Sequence, residues 1–185
     1  LLQQAERLLQ STGGAGSFVA QNLCNLCWSA AVLDMQQCVP LVLQLTAAVI
    51  QLWGSIVGEG LQQLYQVHLW LLDSGLPAPG QGLLGVLSQQ QLEQCRASWE
   101  QQLAVQTALS KTSAFQRDVF VAAQQLPAGF WHTSPQLEQV TADGALSIDI
   151  AGTTAAGVRV AIEADGPSHF MQPGNTFTGG TLFRN

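Results

Sequence analysis

Val158-Arg-Val-Ala-Ile-Glu163-Ala-Asp165-Gly-Pro-Ser-His169-Phe170 decides how the last third of this 185-residue chain folds. Val158, Val160 and Ile162 alternate with other residues, two carboxylates follow, and Asp165-Gly166-Pro167 breaks the run. That is the pattern of a half-buried strand ending in acids and a turn. On a strand Glu163 and Asp165 face the same side, about 6.6 Å apart. Two unneutralised carboxylates at that range repel by about 2.5 kcal/mol at an effective dielectric of about 20. Such a pair persists at low cost only beside a cation, with a proton, or fully solvated. It is therefore a candidate site.

Working outward, the hydrophobic period changes near Ser110. A helix is predicted over Ser113-Ala-Phe-Gln116-Arg-Asp-Val-Phe-Val-Ala-Ala-Gln-Gln-Leu126, and a strand begins near Trp131 and His132. Thr141-Ala-Asp143-Gly144 is a hairpin-type turn feeding a strand from Ala145 to Ile150, and residues 151 to 157 link it to the next one. Helix, hairpin strands and loop make an α/β or α+β order.

These segments resemble the RAP domain, a module of organellar RNA-associated proteins. Its pattern is a helix with a Gln, here Gln116, then a strand ending like Ser147-Ile-Asp149-Ile150, then apolar-Glu-apolar-Asp-Gly-Pro-Ser-His-Phe, here ending at Phe170. Asn175-Thr-Phe-Thr-Gly-Gly-Thr-Leu-Phe-Arg184 is similar to its Thr-Gly-x-Thr-x-x-Arg segment. In that family a further strand and helix would follow. The chain also lacks an initiator Met, so it reads as a piece of a longer protein.

Residues 1 to 109 read as helices: Leu1 to Leu9, about Phe18 to Leu33, about Cys38 to Val57, Leu61 to Leu72, and Ser88 to Leu109, with Ser88 as cap. Gln37, Gln44 and Gln51 recur every seven residues and mark one polar stripe on the third, which argues for a packed helix over a membrane span. Leu23, Cys24, Cys27 and Ala31 recur at helical spacing, so Cys24 and Cys27 read as buried thiols and not as half of a zinc site. Trp53, Trp70 and Trp99 read as core, and His68 as a satisfied packing residue. Asn22-Leu-Cys-Asn-Leu-Cys-Trp28-Ser-Ala-Ala-Val-Leu33 resembles the repeat helix of octotricopeptide-repeat and FAST-kinase-domain proteins. An offset of 41 lays Leu23 over Leu64 and Leu26 over Val67, a thin internal match that stacked helix pairs would produce.

Composition limits the partners. Net charge is −6, only 10% of residues are charged, and no Lys or Arg lies between Arg7 and Arg96. Phosphate affinity comes mainly from basic residues, so this stretch suits protein contact better than RNA contact. Serine-nucleophile, phosphate-loop and dinucleotide signatures are absent from the sequence.

The RAP domain in turn looks like a relative of the PD-(D/E)xK endonucleases. That resemblance puts Asp149 at the first acid, Glu163 at the second, Asp165 in place of the catalytic Lys, and Gln116 beside the same pocket. A carboxylate where a Lys should steady the nucleophile repels the developing charge. Three readings follow: a metal nuclease using Asp149 and Glu163, a retained noncatalytic pocket for RNA or a cation, or structural capping by the acids. The expected architecture is an α-helical repeat, the end of an α-solenoid, over 1–109. A small, C-terminally incomplete α/β domain of endonuclease-like fold would follow over 110–185. The expected function is that of a mitochondrial or chloroplast RNA-associated protein, touching organellar rRNA or mRNA through Arg159, His169 and Arg184. Protein subunits or the rest of its solenoid are the other partners, and no membrane is. A structural subunit of an organellar ribosome is the alternative, and a metal-dependent endoribonuclease a further one. Enzyme activity is not expected. No cofactor is expected either, Mg2+ at Asp149 and Glu163 being the one the acids could take.

Overall fold

The structure, a computed structural model, describes residues 19–75, 80–109, 112–142, 144, 146–166, 170–171 and 176–177. The helix expected over Leu1 to Leu9 lies outside them. A helical region is followed by a small part built on antiparallel strands. The chain divides into two compact units, Leu1–Trp99 and Glu100–Asn185.

The first unit starts with α1 (Ala20–Val32), which ends where Asp34 adopts φ 46°. Met35 N–H then returns to Ala30 O at 2.9 Å, closing the helix end in the left-handed manner. A 3-10 turn (Gln36–Cys38) leads into α2 (Val39–Gln51), whose second residue, Pro40, is preset for a first turn. Gln37, Gln44 and Gln51 are exposed, while Val42, Leu45 and Val49 are fully buried. Thr46 is buried on the same face and bonds Val42 O at 2.8 Å, which removes the penalty on its hydroxyl.

The third helix differs from expectation. It ends at Gln51 and not near Val57, because Leu52 turns out of the helix and Trp53–Ser55 tightens into a 3-10 turn containing Gly54. Next, α3 (Gly58–Ser74) begins three residues earlier than its apolar pattern and stops at Gly75, φ 68°. Finally α4 (Gln89–Leu109), which runs across the boundary between the two units, opens on a reciprocal cap: Gln91 N–H donates to Ser88 Oγ at 3.2 Å, and Ser88 N–H donates to Gln91 Oε1 at 2.9 Å.

Helix α1 packs against both α2 and α3. Leu23, Cys24, Cys27, Leu45, Leu64 and Leu71 are fully buried, so the helical spacing of Leu23, Cys24 and Cys27 did mark the core face. Indoles tie the helices at their margins: Trp28 Nε1 donates to Gln66 Oε1 at 2.9 Å, Trp53 Nε1 to Gln94 Oε1 at 3.0 Å, and Trp70 Nε1 to Asp34 Oδ1 at 2.9 Å. Trp70 is buried, whereas Trp53 and Trp99 are half-buried. Among the described residues no helix is long and apolar enough to cross a membrane.

In the second unit, α5 (Ala114–Gln124) is capped by Ser113 Oγ, which accepts from Gln116 N–H at 3.0 Å. The sheet follows in the order β1 (Trp131–Val140), β2 (Ser147–Thr154) and β3 (Arg159–Ile162), antiparallel throughout. α5 packs on β1, and Trp131 Nε1 donates to Ala123 O at 2.7 Å. The Trp131 ring covers Gly152, where a Cβ would come within 2.7 Å of it. The β1–β2 turn forms as expected, with Gly144 at φ 71° and its N–H on Thr141 O at 2.8 Å. Strand β2 runs on to Thr154, past the expected end, and turns at Gly157, φ 81°. A short antiparallel pair, β4 (Phe170–Met171) with β5 (Thr176–Phe177), completes the described chain.

Candidate functional site

The acids lie at the end of β3, but not on it. β3 pairs with β2 as Thr153↔Arg159, Ala151↔Ala161 and Ile150↔Ile162, and the next register step would set Glu163 across from Asp149. Directly opposed residues in such a pair sit about 4.5–5.5 Å apart. The ladder does not continue to Ala164. Its N–H goes instead to Asp149 Oδ2 at 2.8 Å, a carboxylate standing where the Ile148 carbonyl would be. Residues 163 to 166 are consequently irregular, and the expected strand alternation does not extend to Glu163 and Asp165. Both are half-buried, like Asp149.

On its other side Asp149 faces a residue that the sequence reading did not single out. Leu137↔Ile150 and Gln139↔Ile148 flank it, so Glu138 is the β1 residue in register with Asp149. Glu138 and Asp149 are thus in register on β1 and β2, and Glu163 lies just past the end of β3. Like charges directly opposed destabilise a sheet, so each needs compensation. Asp149 has the Ala164 N–H. Glu138 accepts at 2.7 Å from Nε2 of Gln116, a buried side chain of α5. Glu138 also sits at φ 52°, in the left-handed region that costs a non-glycine residue about 1–2 kcal/mol. The sequence places a strand from about Trp131, but the register shifts within it hide which residue Glu138 would meet on β2.

Gln116 therefore bonds Glu138, and not the acids expected beside it. Among the described residues no group of three or more His, Cys, Asp or Glu is arranged to hold a metal ion. Asp149 Oδ2 and Glu138 Oε1 each accept one amide hydrogen.

Arg159 is exposed on β3 and, among the described residues, is the one charged residue lining an open groove of about 530 Å3. Thr133, Gln136, Gln139 and Thr153 supply its polar wall. Among the described residues such a surface offers one cation, hydroxyls and amides, and no nucleophile–base pair. His169 and Arg184, the other two residues expected to touch RNA, lie outside the described residues. His68 and the thiols are in the helical unit: Cys24, Cys27 and Cys95 are buried and free, and burial pushes each thiol up to about 12.

Compared with known family models, curated proteins and solved structures, the chain matches none.

Proposed function

We propose that this chain belongs to an organellar RNA-associated protein, in which the end of an α-solenoid precedes a RAP module of endonuclease-like fold. The observation that carries this reading is the Glu163-Ala-Asp165-Gly-Pro-Ser-His169-Phe170 string following a strand whose neighbour holds Asp149. Two indole bonds support the repeat. Trp28 joins α1 to α3, and Trp53, just after α2, joins that corner to Gln94 of α4. Bonds between one helix pair and the next are what stacked repeats need. The module touches RNA near Arg159, His169 and Arg184, in mitochondrion or chloroplast, and works without turnover chemistry. Asp165 in the Lys position counts against a metal endonuclease.

A structural role in an organellar ribosome is the second reading. It is favoured by the charge-poor helices and by Leu33 and Val57, which are 63% and 58% exposed. Such apolar surface suits a protein neighbour.

The test is affinity for generic single-stranded RNA across a salt series. Lys111, Arg117, Arg159 and Arg184 are the basic residues of the module. Each phosphate neutralised contributes a slope of about −0.7 in log affinity against log salt, so binding should be weak, with a slope no steeper than about −3. Arg159→Ala should make it shallower. A steeper slope would overturn the assignment of the helices to protein contact, and no binding at all would overturn the RNA reading.

A further inference from the structure

Between Gly80 and Ser88 the chain makes a run of turns that leads into α4. Leu83 and Leu87 anchor this segment by burial, at 0% and 2% exposure. A side chain of α3 ties its backbone to that helix: Leu83 N–H donates to Nδ1 of His68 at 3.0 Å. Gly82, φ 49°, lies so close that a Cβ there would run into His68 Nδ1 and Cε1. The contact therefore requires glycine on one side and an imidazole acceptor on the other. An imidazole that accepts at Nδ1 is neutral and carries its proton on Nε2.

We propose that His68 is an acid-sensitive pin: protonation of Nδ1 sets two donors face to face, releases segment 80–88 from α3, and uncovers Leu83 and Leu87. The proton comes from solvent and no bond other than the hydrogen bond changes.

The surroundings leave His68 as the group that senses pH here. Tyr65, one turn earlier on α3, is the titratable ring facing it, with centroids 6.0 Å apart. Glu59 and Asp73 lie near the two ends of α3, and Asp34, after α1, bonds Trp70. Glu93 and Arg96 are the charged residues early in α4, while α1, α2 and segment 80–88 carry none. Burial alone lowers the His68 pKa from its ordinary 6.5, and none of these charges contributes. A value lowered on folding means that the pin is fully in place above about 6.5 and is lost as pH falls through the lowered value. Local opening of this kind exposes a few amides without unfolding the helices.

Amide exchange of the full chain, corrected for intrinsic rates, tests this between about pH 7.5 and about pH 5. Leu83 protection should fall with acid, by at most about tenfold per pH unit because one proton is taken up, while Leu64 in the middle of α3 keeps its protection. In His68→Gln an amide oxygen accepts at any pH, so the dependence should vanish. Constant Leu83 protection in the native chain, or an equal decline in His68→Gln, overturns the proposal. Should the variant not fold, the His68 ring proton shift decides: titration at or above 6.5 overturns the pin. A lower midpoint coinciding with loss of Leu83 protection supports it.

Discussion

Replacing Asp149 separates a capping carboxylate from an ion-holding one. Asp149→Ala removes the acceptor of the 2.8 Å bond from Ala164 N–H. A hydrogen bond to a charged group contributes about 1.5–3 kcal/mol. Against that loss stands relief of repulsion from Glu138, in register on β1, about 0.2–1 kcal/mol. The net expectation is a loss of about 1–2 kcal/mol. Asp149→Asn relieves the same repulsion, yet keeps an amide oxygen that accepts from Ala164, worth about 0.5–1.5 kcal/mol as a neutral bond. It should therefore be close to the native chain and about 1 kcal/mol more stable than the alanine variant. Amide exchange at Ile150 and Ala164 is the assay, because it reads the second unit alone and two compact units need not unfold together. If Asp149→Asn is as damaging as Asp149→Ala, the negative charge itself is required, and capping is the wrong account of this residue.

Three further outcomes follow from packing. Cys24, Cys27 and Cys95, buried with thiols pushed up to about 12, should resist a thiol reagent at pH 8 until the chain is unfolded, while half-buried Cys38 reacts; a count of modified thiols before and after denaturant checks this. Leu64→Ala opens a cavity at a fully buried position and should destabilise the helical unit by about 2–5 kcal/mol in denaturant unfolding. Gly152→Ala forces a methyl against the Trp131 ring and should destabilise the sheet by about 1–3 kcal/mol, with faster exchange at Ile150.

How much of this was legible depended on whether local pattern and final environment agree. The Gln37, Gln44 and Gln51 stripe and the Leu23, Cys24, Cys27 face name surface and core directly, since each helix buries one side. Ser88 caps its helix as its letter suggests, and the structure adds Gln91 as the reciprocal partner. Helix ends were harder. Trp53 and Ile56 extend an apolar run, yet Gly54 and the 3-10 turn leave the helix at Gln51. β1 begins where Trp131 and His132 place it, but Ser134 and Pro135 disfavour a strand and two register shifts interrupt its alternation. Its pairing was therefore not legible, and Glu138 could not be joined to Asp149. The strand end at Ile162 was likewise hidden, because it is set by a side chain fifteen positions away in sequence capturing the Ala164 amide.

The central claim is that RNA contact belongs to the C-terminal part and protein contact to the helices. Ultraviolet cross-linking of the chain to RNA within its native complex, with the linked peptides mapped, tests this directly. The account predicts linked peptides around Arg159 and within residues 112 to 185, and none between residues 19 and 92, where no Lys or Arg is present. Cross-links concentrated on α1, α2 or α3 would contradict it.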